Sequence, residues 1–341
     1  LNGGNEMQDV DVTIIGGGPV GLFAAYYARL RDLNVRVVES LATVGGQVST
    51  LYPQKQILDV AGFPHVTGAK LVQQLTEQAE QLAPEIVTAT TVADVQLTDD
   101  GHFQVSTTAG EFQSGAVIIA TGGGNFTPRT LPLPTTDVNV EQHVHYFVGD
   151  GKQFTGKRVL VAGGGDSAID SALYLLDHAS AVHLMHRRPS FRALEHSVNQ
   201  LLASDVKLET PFLIENITAT ADGSLAVTMH EVMGDTIKVI EVDEVLVSYG
   251  FISENTTMQQ WQVQPTQTPQ GISVDQTLQT DIAGLFVIGD AATYPGRTEL
   301  LSTGFGEAPL AVNAAVRFLD PTKRGPIHSS SLHIENGQIT K

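Results

Sequence analysis

The stretch Ile14-Ile15-Gly16-Gly17-Gly18-Pro19-Val20-Gly21-Leu22 decides the fold. It closes a short β-branched run that begins at Val10, and it opens a helical pattern from Val20 to Arg31. The small residues Gly21, Ala24, Ala25 and Ala28 recur on one side of that pattern, as they do where a helix lies close on a buried parallel strand. Gly16 permits the tight turn, Gly18 lets a pyrophosphate approach the backbone, and Gly21 lets helix and strand touch. Val35 to Glu39 reads as the next strand, and Glu39 at its end is placed to bond a ribose hydroxyl.

A second stretch, Gly163-Gly164-Gly165-Asp166-Ser167-Ala168, repeats the plan after the run Arg158 to Ala162. The same number of positions separates Gly16 from Glu39 and Gly163 from His186, so two related dinucleotide domains are expected rather than one doubled sheet. The helix runs from about Ser167 to Leu176, with Ala168 in place of the third glycine. Asp166 is unexpected beside phosphates on charge, and is read as a helix cap. The strand Ala181 to His186 ends in His186, Arg187 and Arg188, with Arg192 in the short loop beyond. An acid suits a bare adenosine ribose and arginines suit a 2′-phosphate; solvated surface arginines are the alternative. FAD at the first site and NADPH at the second is the pairing these charges select, which implies an enzyme that passes electrons.

Composition narrows the classes. The 341 residues allow two or three domains, and 42% hydrophobic with 16% charged residues is globular. A net charge of -18 argues against general nucleic-acid binding. The chain has no cysteine, which removes thiolate chemistry, disulfides and cysteine-held metal. No metal site is expected. No run reaches the roughly 18 apolar residues of a membrane span, and a cytoplasmic enzyme is the expectation.

Other segments complete the reading. Gly45 to Asp59 is loop-like and holds Gly46, Gln47 and Tyr52; Tyr52 either stacks on a flavin ring or simply packs. Gly68 to Leu82 is an amphipathic helix. Val92 to Leu97, Phe103 to Thr107 and Glu111 to Gln113 form a small antiparallel layer, and Ala116 to Ala120 a separate buried strand. Pro128 to Pro134 is a linker. Leu285 to Asp290 is a strand ending at an acid that either accepts from a ribityl hydroxyl or caps a helix. Ala308 to Leu319 is helical, and the polar pattern from Pro321 to Lys341 predicts disorder, with His328 a surface residue.

The motifs IIGGGPVGL, LYPQK followed by DVAGFP, AGGGDSAID, HRRPSFRALEHS, GDAATYPG, STGFGEAP and HSSSLHIEN run nearly end to end. In them the chain resembles the ferredoxin–NADP reductases of the thioredoxin-reductase-like type. The resemblance implies an α/β fold of two Rossmann-like dinucleotide-binding domains, each three-layer ββα. It implies an FAD domain in two parts, 1–124 and 251–341, around an inserted NADPH domain, 125–250. It also implies a homodimer passing hydride from NADPH to flavin and single electrons to ferredoxin or flavodoxin. Residue by residue, it puts Glu39 on the FAD ribose, Gln47 near the flavin, Tyr52 stacked on one ring face, and Val92 on adenine through its backbone. Phe126 lies beside the isoalloxazine and Asp290 at the ribityl–phosphate region. His328 stacks on the opposite face from the partner's tail, with Ser329 near flavin N5 and Ser330 another contact.

Thioredoxin reductases carry a Cys-x-x-Cys where this chain has His145-Tyr146-Phe147-Val148. A dithiol relay needs thiolates and has none here. An acidic acceptor needs a basic docking surface, for which Lys323, Arg324 and Arg297 are the candidates. The competing functions are an NAD(P)H oxidase or diaphorase using oxygen, quinone or iron chelates, and a flavin-binding protein without turnover.

Overall fold

The computed structural model describes residues 8–132, 137–149, 151–254, 258–325, 333–335 and 338–340. The chain forms two compact units, Leu1–Asn125 with Ser253–Lys341, and Phe126–Ile252.

The first unit begins with strand β1 (Val10–Ile15), helix α1 (Pro19–Leu30) and strand β2 (Val35–Val38). Helices α2 (Gly46–Thr50) and α3 (Gly68–Glu80) and strand β3 (Glu85–Val87) follow, then strands β4 (Val92–Leu97), β5 (Phe103–Thr107) and β6 (Gly110–Ile119). The sheet order is β3-β2-β1-β6-β5-β4. β1 pairs in parallel with β2 and β6, whereas β4, β5 and the start of β6 form an antiparallel meander. One continuous β6 replaces the two expected segments. Its first half bonds β5, from Phe103↔Ser114 to Thr107↔Gly110, and its second half bonds β1, from Val12↔Ala116 to Ile15↔Ile119.

The second unit contains strands β7 (Val144–His145) and β8 (Arg158–Ala162), helix α4 (Asp166–Leu175), strand β9 (Ala181–Met185), helix α5 (Glu195–Leu202) and strand β10 (Lys207–Glu209). Strands β11 (Phe212–Ala219), β12 (Leu225–Glu231), β13 (Ile237–Val242) and β14 (Glu244–Val247) complete it. Its parallel sheet has the order β7-β14-β8-β9-β10, and β11-β12-β13 is a separate antiparallel meander. Helix α5 lies beyond the short loop that holds Arg192, in a stretch to which the sequence reading assigned no element. Val198 and Leu201 pack it on the α4 side of the sheet, which short-range pattern did not reveal.

The chain then returns to the first unit with strand β15 (Leu285–Val287), which pairs in parallel with Val117 to Ile119 of β6, and helix α6 (Leu301–Leu319). Helix α6 is longer than its expected span and continues through Pro309. A helix-interior proline costs roughly 3 kcal/mol, but here Ala308, Ala311, Val312 and Ala315 are buried in the core that also holds Ala24, Ala25 and Ala28 of α1.

Both units have three layers, for one reason: alternate strand residues face opposite sides. In the first unit Val12, Ile14, Val35, Val37, Ala116 and Ile118 face the helices, while Ile15, Val38, Val117 and Ile119 face the meander. In the second, Val159, Val161, Val182 and Leu184 face α4, while Leu160, Ala162 and Met185 face β11–β13. The helix α2 within the expected loop is a single turn held by buried Val48. No helix among the described residues is long and apolar enough to cross a membrane.

Candidate functional site

In the first unit the glycine turn is built by close approach. Gly16 has φ +109°, and a Cβ there would lie 2.5 Å from the Ala120 carbonyl oxygen. A Cβ on Gly21 would fall inside van der Waals contact of the Gly16 carbonyl oxygen, so α1 can sit this close to β1 only with glycine. Gly18 differs: its Cβ position has no neighbour within 4 Å among the described residues. Gly18 is the N-cap of α1, Pro19 takes the first helical position, and no side chain among the described residues caps the helix. The first-turn N–H groups therefore face outward without a side-chain acceptor, the arrangement that attracts a phosphate.

Glu39, 5% exposed, accepts from Gly17 N–H at 2.7 Å and from Leu41 N–H at 2.8 Å. Thr90 N–H donates to the Glu39 carbonyl at 2.9 Å, which brings the segment leading to Val92 beside this strand end. Gly45 N–H bonds the Gly17 carbonyl at 2.8 Å, and a Cβ at Gly122 would stand 3.1 Å from Gln47 Nε2. Gln47 thus comes to the glycine turn that ends β6. Thr121 Oγ1 beside it is buried and has no hydrogen-bond partner among the described residues.

Tyr52 packs against the cluster of Leu22, Val48, Ile57 and Leu71. Burial, with Asp290 and then Asp59 nearby, pushes its phenol up to about 12. Tyr52 and Asp290, singled out separately in the sequence, thus share one electrostatic neighbourhood. Asp59 also accepts from Leu301 N–H, the first residue of α6, at 2.6 Å. Asp290 sits in a single 3-10 turn, Gly289–Ala291, rather than capping a longer helix.

Sequence reading missed the group that organises this turn. Glu307 of α6, 2% exposed, accepts from Gly289 N–H at 2.7 Å, Tyr294 Oη–H at 2.9 Å and Arg297 Nε–H at 2.9 Å. A second guanidinium nitrogen of Arg297 reaches Asp290 at 3.3 Å. Burial disfavours the charge on Arg297, but Glu307 and Asp290 outweigh it and hold the group above its ordinary value. The Arg297 side chain is only 6% exposed, so it is not available to dock a partner, contrary to the sequence expectation. Lys323 and Arg324 are exposed. A signal for Glu307 existed only in the motif STGFGEAP, where a carboxylate falls inside an otherwise small and apolar helix segment.

In the second unit Gly163 again closes a tight turn, since a Cβ there would press on the Ser248 carbonyl and on Ala168. The His186 ring fills the space a Cβ on Gly164 would need, and it stacks on Phe191 with centroids 5.7 Å apart. Burial lowers the His186 pKa, aided by Arg187 and Arg188, which favours the neutral ring at pH 7. Gly165 is the N-cap of α4, again with no side-chain cap, and Ser167 is exposed in the first turn. Asp166 does not cap this helix; its Oδ1 accepts from Leu194 N–H at 3.0 Å. Arg187, Arg188 and Arg192 are exposed, and no carboxylate pairs with them among the described residues. The Phe126 side chain, His328, Ser329 and Ser330 lie outside the described residues.

The stretch His145 to Val148 carries a different chemistry from a dithiol. His145 Nε2 and His143 Nδ1 lie 2.8 Å and 3.2 Å from the two Glu244 carboxylate oxygens, and Lys157 Nζ lies 3.3 Å from one of them. Burial opposes ionisation of Glu244, but bonds from His145 and His143 outweigh it and hold the carboxyl below its ordinary value. A carboxyl depressed in the folded state adds stability that is complete above its unfolded value near pH 4.3 and is lost as pH falls through the folded value. Glu244→Gln is therefore expected to cost stability at pH 7 and to flatten the loss that sets in as pH falls below the ordinary carboxylate range. Urea unfolding of both proteins across that range checks it.

The family model for the pyridine nucleotide-disulphide oxidoreductases matches residues 10–315. The chain belongs to that family. The oxidoreductase is 48% identical to a ferredoxin–NADP reductase of Leuconostoc mesenteroides over 330 residues, covering 96% of this chain and 98% of that protein. It is 46% identical to one from Lactiplantibacillus plantarum, covering 95% and 98%. Among solved structures, a thioredoxin reductase of Lactococcus lactis in the FR conformation superposes with a TM-score of 0.75 at 26% identity, covering 91% of this chain and 99% of that one. The two-unit α/β architecture is shared with that enzyme, but this chain has no cysteine.

Proposed function

We propose that this oxidoreductase is an FAD-dependent NADPH:ferredoxin or flavodoxin reductase, with FAD on the first unit and NADPH on the second. The observation that carries the reading is the pair of glycine turns of opposite surroundings, neither with a side-chain cap among the described residues: buried Glu39 at one, and Arg187, Arg188 and Arg192, without carboxylate partners among those residues, at the other. Among the described residues, the space beside Gly18 and the Thr121 hydroxyl without a hydrogen-bond partner suit a pyrophosphate-bearing flavin nucleotide in the first unit. Identity of 48% and 46% over nearly the full length of reductases named for ferredoxin supports the acceptor class.

Bound flavin supplies hydride acceptance from NADPH and one-electron release to the acceptor. The chain's own residues bind and orient. Gly16, Gly18, Pro19 and Gly21 shape the pyrophosphate cradle and Glu39 meets the ribose. Gln47, Tyr52, Val92, Phe126 and Asp290 line the flavin nucleotide, with the Tyr52 phenol neutral at physiological pH. Gly163, Gly165, Ser167, His186 and the three arginines form the NADPH site, and Asp166 bonds the Leu194 N–H beside it. His328, Ser329 and Ser330 cover the flavin of the partner in a cytoplasmic homodimer, whose dimeric state sedimentation checks.

Arg187→Ala should remove a charge-assisted bond to the 2′-phosphate of about 1.5–3 kcal/mol, raising the KM for NADPH roughly 10- to 150-fold while leaving NADH little changed. Steady-state kinetics with both nucleotides checks this, and equal effects on both would contradict it. The function itself is tested by anaerobic stopped-flow. NADPH should bleach the flavin rapidly, and ferredoxin or flavodoxin should restore its absorbance rapidly. Fast recovery with oxygen or small acceptors alone would favour the oxidase or diaphorase, and no bleaching would refute both.

A further inference from the structure

Asp166 is an acid in the first turn of a helix whose N-terminus suits phosphate, and charge alone gives it no reason to be there. Its contact suggests one. The bond from Leu194 N–H to Asp166 Oδ1 joins the helix α4 to the residue just before helix α5. Two backbone contacts run alongside it. Arg192 N–H donates to the Gly164 carbonyl at 2.8 Å, and Gly165 and Arg192 form an isolated parallel bridge. At the other end, His186 N–H bonds the Glu209 carbonyl at 3.1 Å, and its ring stacks on Phe191 over Gly164. The segment from His186 to Leu194 is thus pinned along the glycine turn. Arg187, Arg188 and Arg192 all lie within it, exposed and without carboxylate partners among the described residues.

We propose that Asp166 is a positioning residue for nucleotide selectivity: by accepting the Leu194 N–H it holds the arginine-bearing segment against the glycine turn, and so favours a nucleotide with a 2′-phosphate over one without. The inference rests on the second fingerprint being the NADPH site. Arginines on an unpinned loop lose more rotational freedom when they clamp an anion, and preorganisation removes that cost. The carboxylate charge itself opposes phosphate. What the site uses is the acceptor oxygen, and an asparagine side chain offers the same oxygen without the charge. Leu194 offers an independent way to break the contact. Its φ of −58° suits proline, which lacks the N–H.

The test is calorimetric titration of the FAD-loaded protein with NADP+ and NAD+ for the wild type and for Asp166→Ala, Asp166→Asn, Leu194→Pro and Arg187→Ala. Asp166→Ala and Leu194→Pro should each lower the preference for NADP+ by about tenfold, the scale of one lost hydrogen bond, with NAD+ affinity retained. Asp166→Asn should keep the wild-type preference. Hydrogen exchange at the Leu194 amide should accelerate in Asp166→Ala and stay slow in Asp166→Asn. Tighter NADP+ binding in both Asp166 variants would mean that Asp166 acts only as a charge, and would overturn the proposal. Loss of preference in Arg187→Ala but in neither Asp166→Ala nor Leu194→Pro would also overturn it while sparing the phosphate site. An unchanged preference in Arg187→Ala would bring down the phosphate-site reading and the proposal together.

Discussion

Gly21→Ala is expected to strip FAD from the purified protein and to destabilise it, while Gly18→Ala is expected to weaken FAD binding and leave the apoprotein as stable as before. The two glycines stand three positions apart in one turn but face different obstacles. A Cβ on Gly21 collides with the Gly16 carbonyl, which is backbone and cannot rotate away, so α1 must move off β1. An added methylene in a packed core costs about 1–3 kcal/mol of stability; a backbone obstacle puts Gly21→Ala near the upper end, and the shift of α1 carries the first-turn N–H groups away from the phosphate. A Cβ on Gly18 meets no atom of the described residues within 4 Å, and its φ of −69° suits alanine. Any FAD lost there therefore reports how closely the nucleotide approaches the backbone. Flavin content after gel filtration and thermal unfolding of both apoproteins separate the effects. Equal stability of the two apoproteins would contradict the packing account.

Glu307→Ala is expected to cost about 3–5 kcal/mol, because it leaves the buried Arg297 guanidinium without its main counter-ion. It also frees the Gly289 N–H and the Tyr294 hydroxyl. For a unit of this size that corresponds to a fall in Tm of roughly 6–20 °C. The double variant Glu307→Ala with Arg297→Met should be milder than the single one, since an unpaired buried charge and not the lost contact dominates the cost. Burial and then Glu307 raise the Tyr294 phenol, and without Glu307 it should titrate closer to its ordinary value. A Glu307→Ala protein as stable as the wild type would show that solvent reaches Arg297.

Much of the fold was legible because its signals are local. The run Val10 to Ile15, the glycines after it and the alanines of α1 prescribe strand, turn and helix within one window, and Arg158 to Leu176 does so again. Where the reading fell short, distant packing decided. Helix α6 passes through Pro309 because the core of α1 holds it there. Strand β6 is continuous because β5 and β1 take successive halves of it. Helix α5 forms where its apolar residues find the α4 side of the second sheet.

The candidate sites divide in the same way. Sequence alone determined the two glycine turns, the acid Glu39 after one and the arginines after the other, since spacing along the chain sets where a βαβ unit presents them. Only the tertiary structure decided that Arg297 is sealed against Glu307, that Asp166 bonds Leu194, and that Tyr52 and Asp290 share a neighbourhood. The physical reason is that periodicity and turn chemistry act between near neighbours in the chain, whereas a buried polar atom takes whichever partner the folded backbone carries to within 3 Å or so of it.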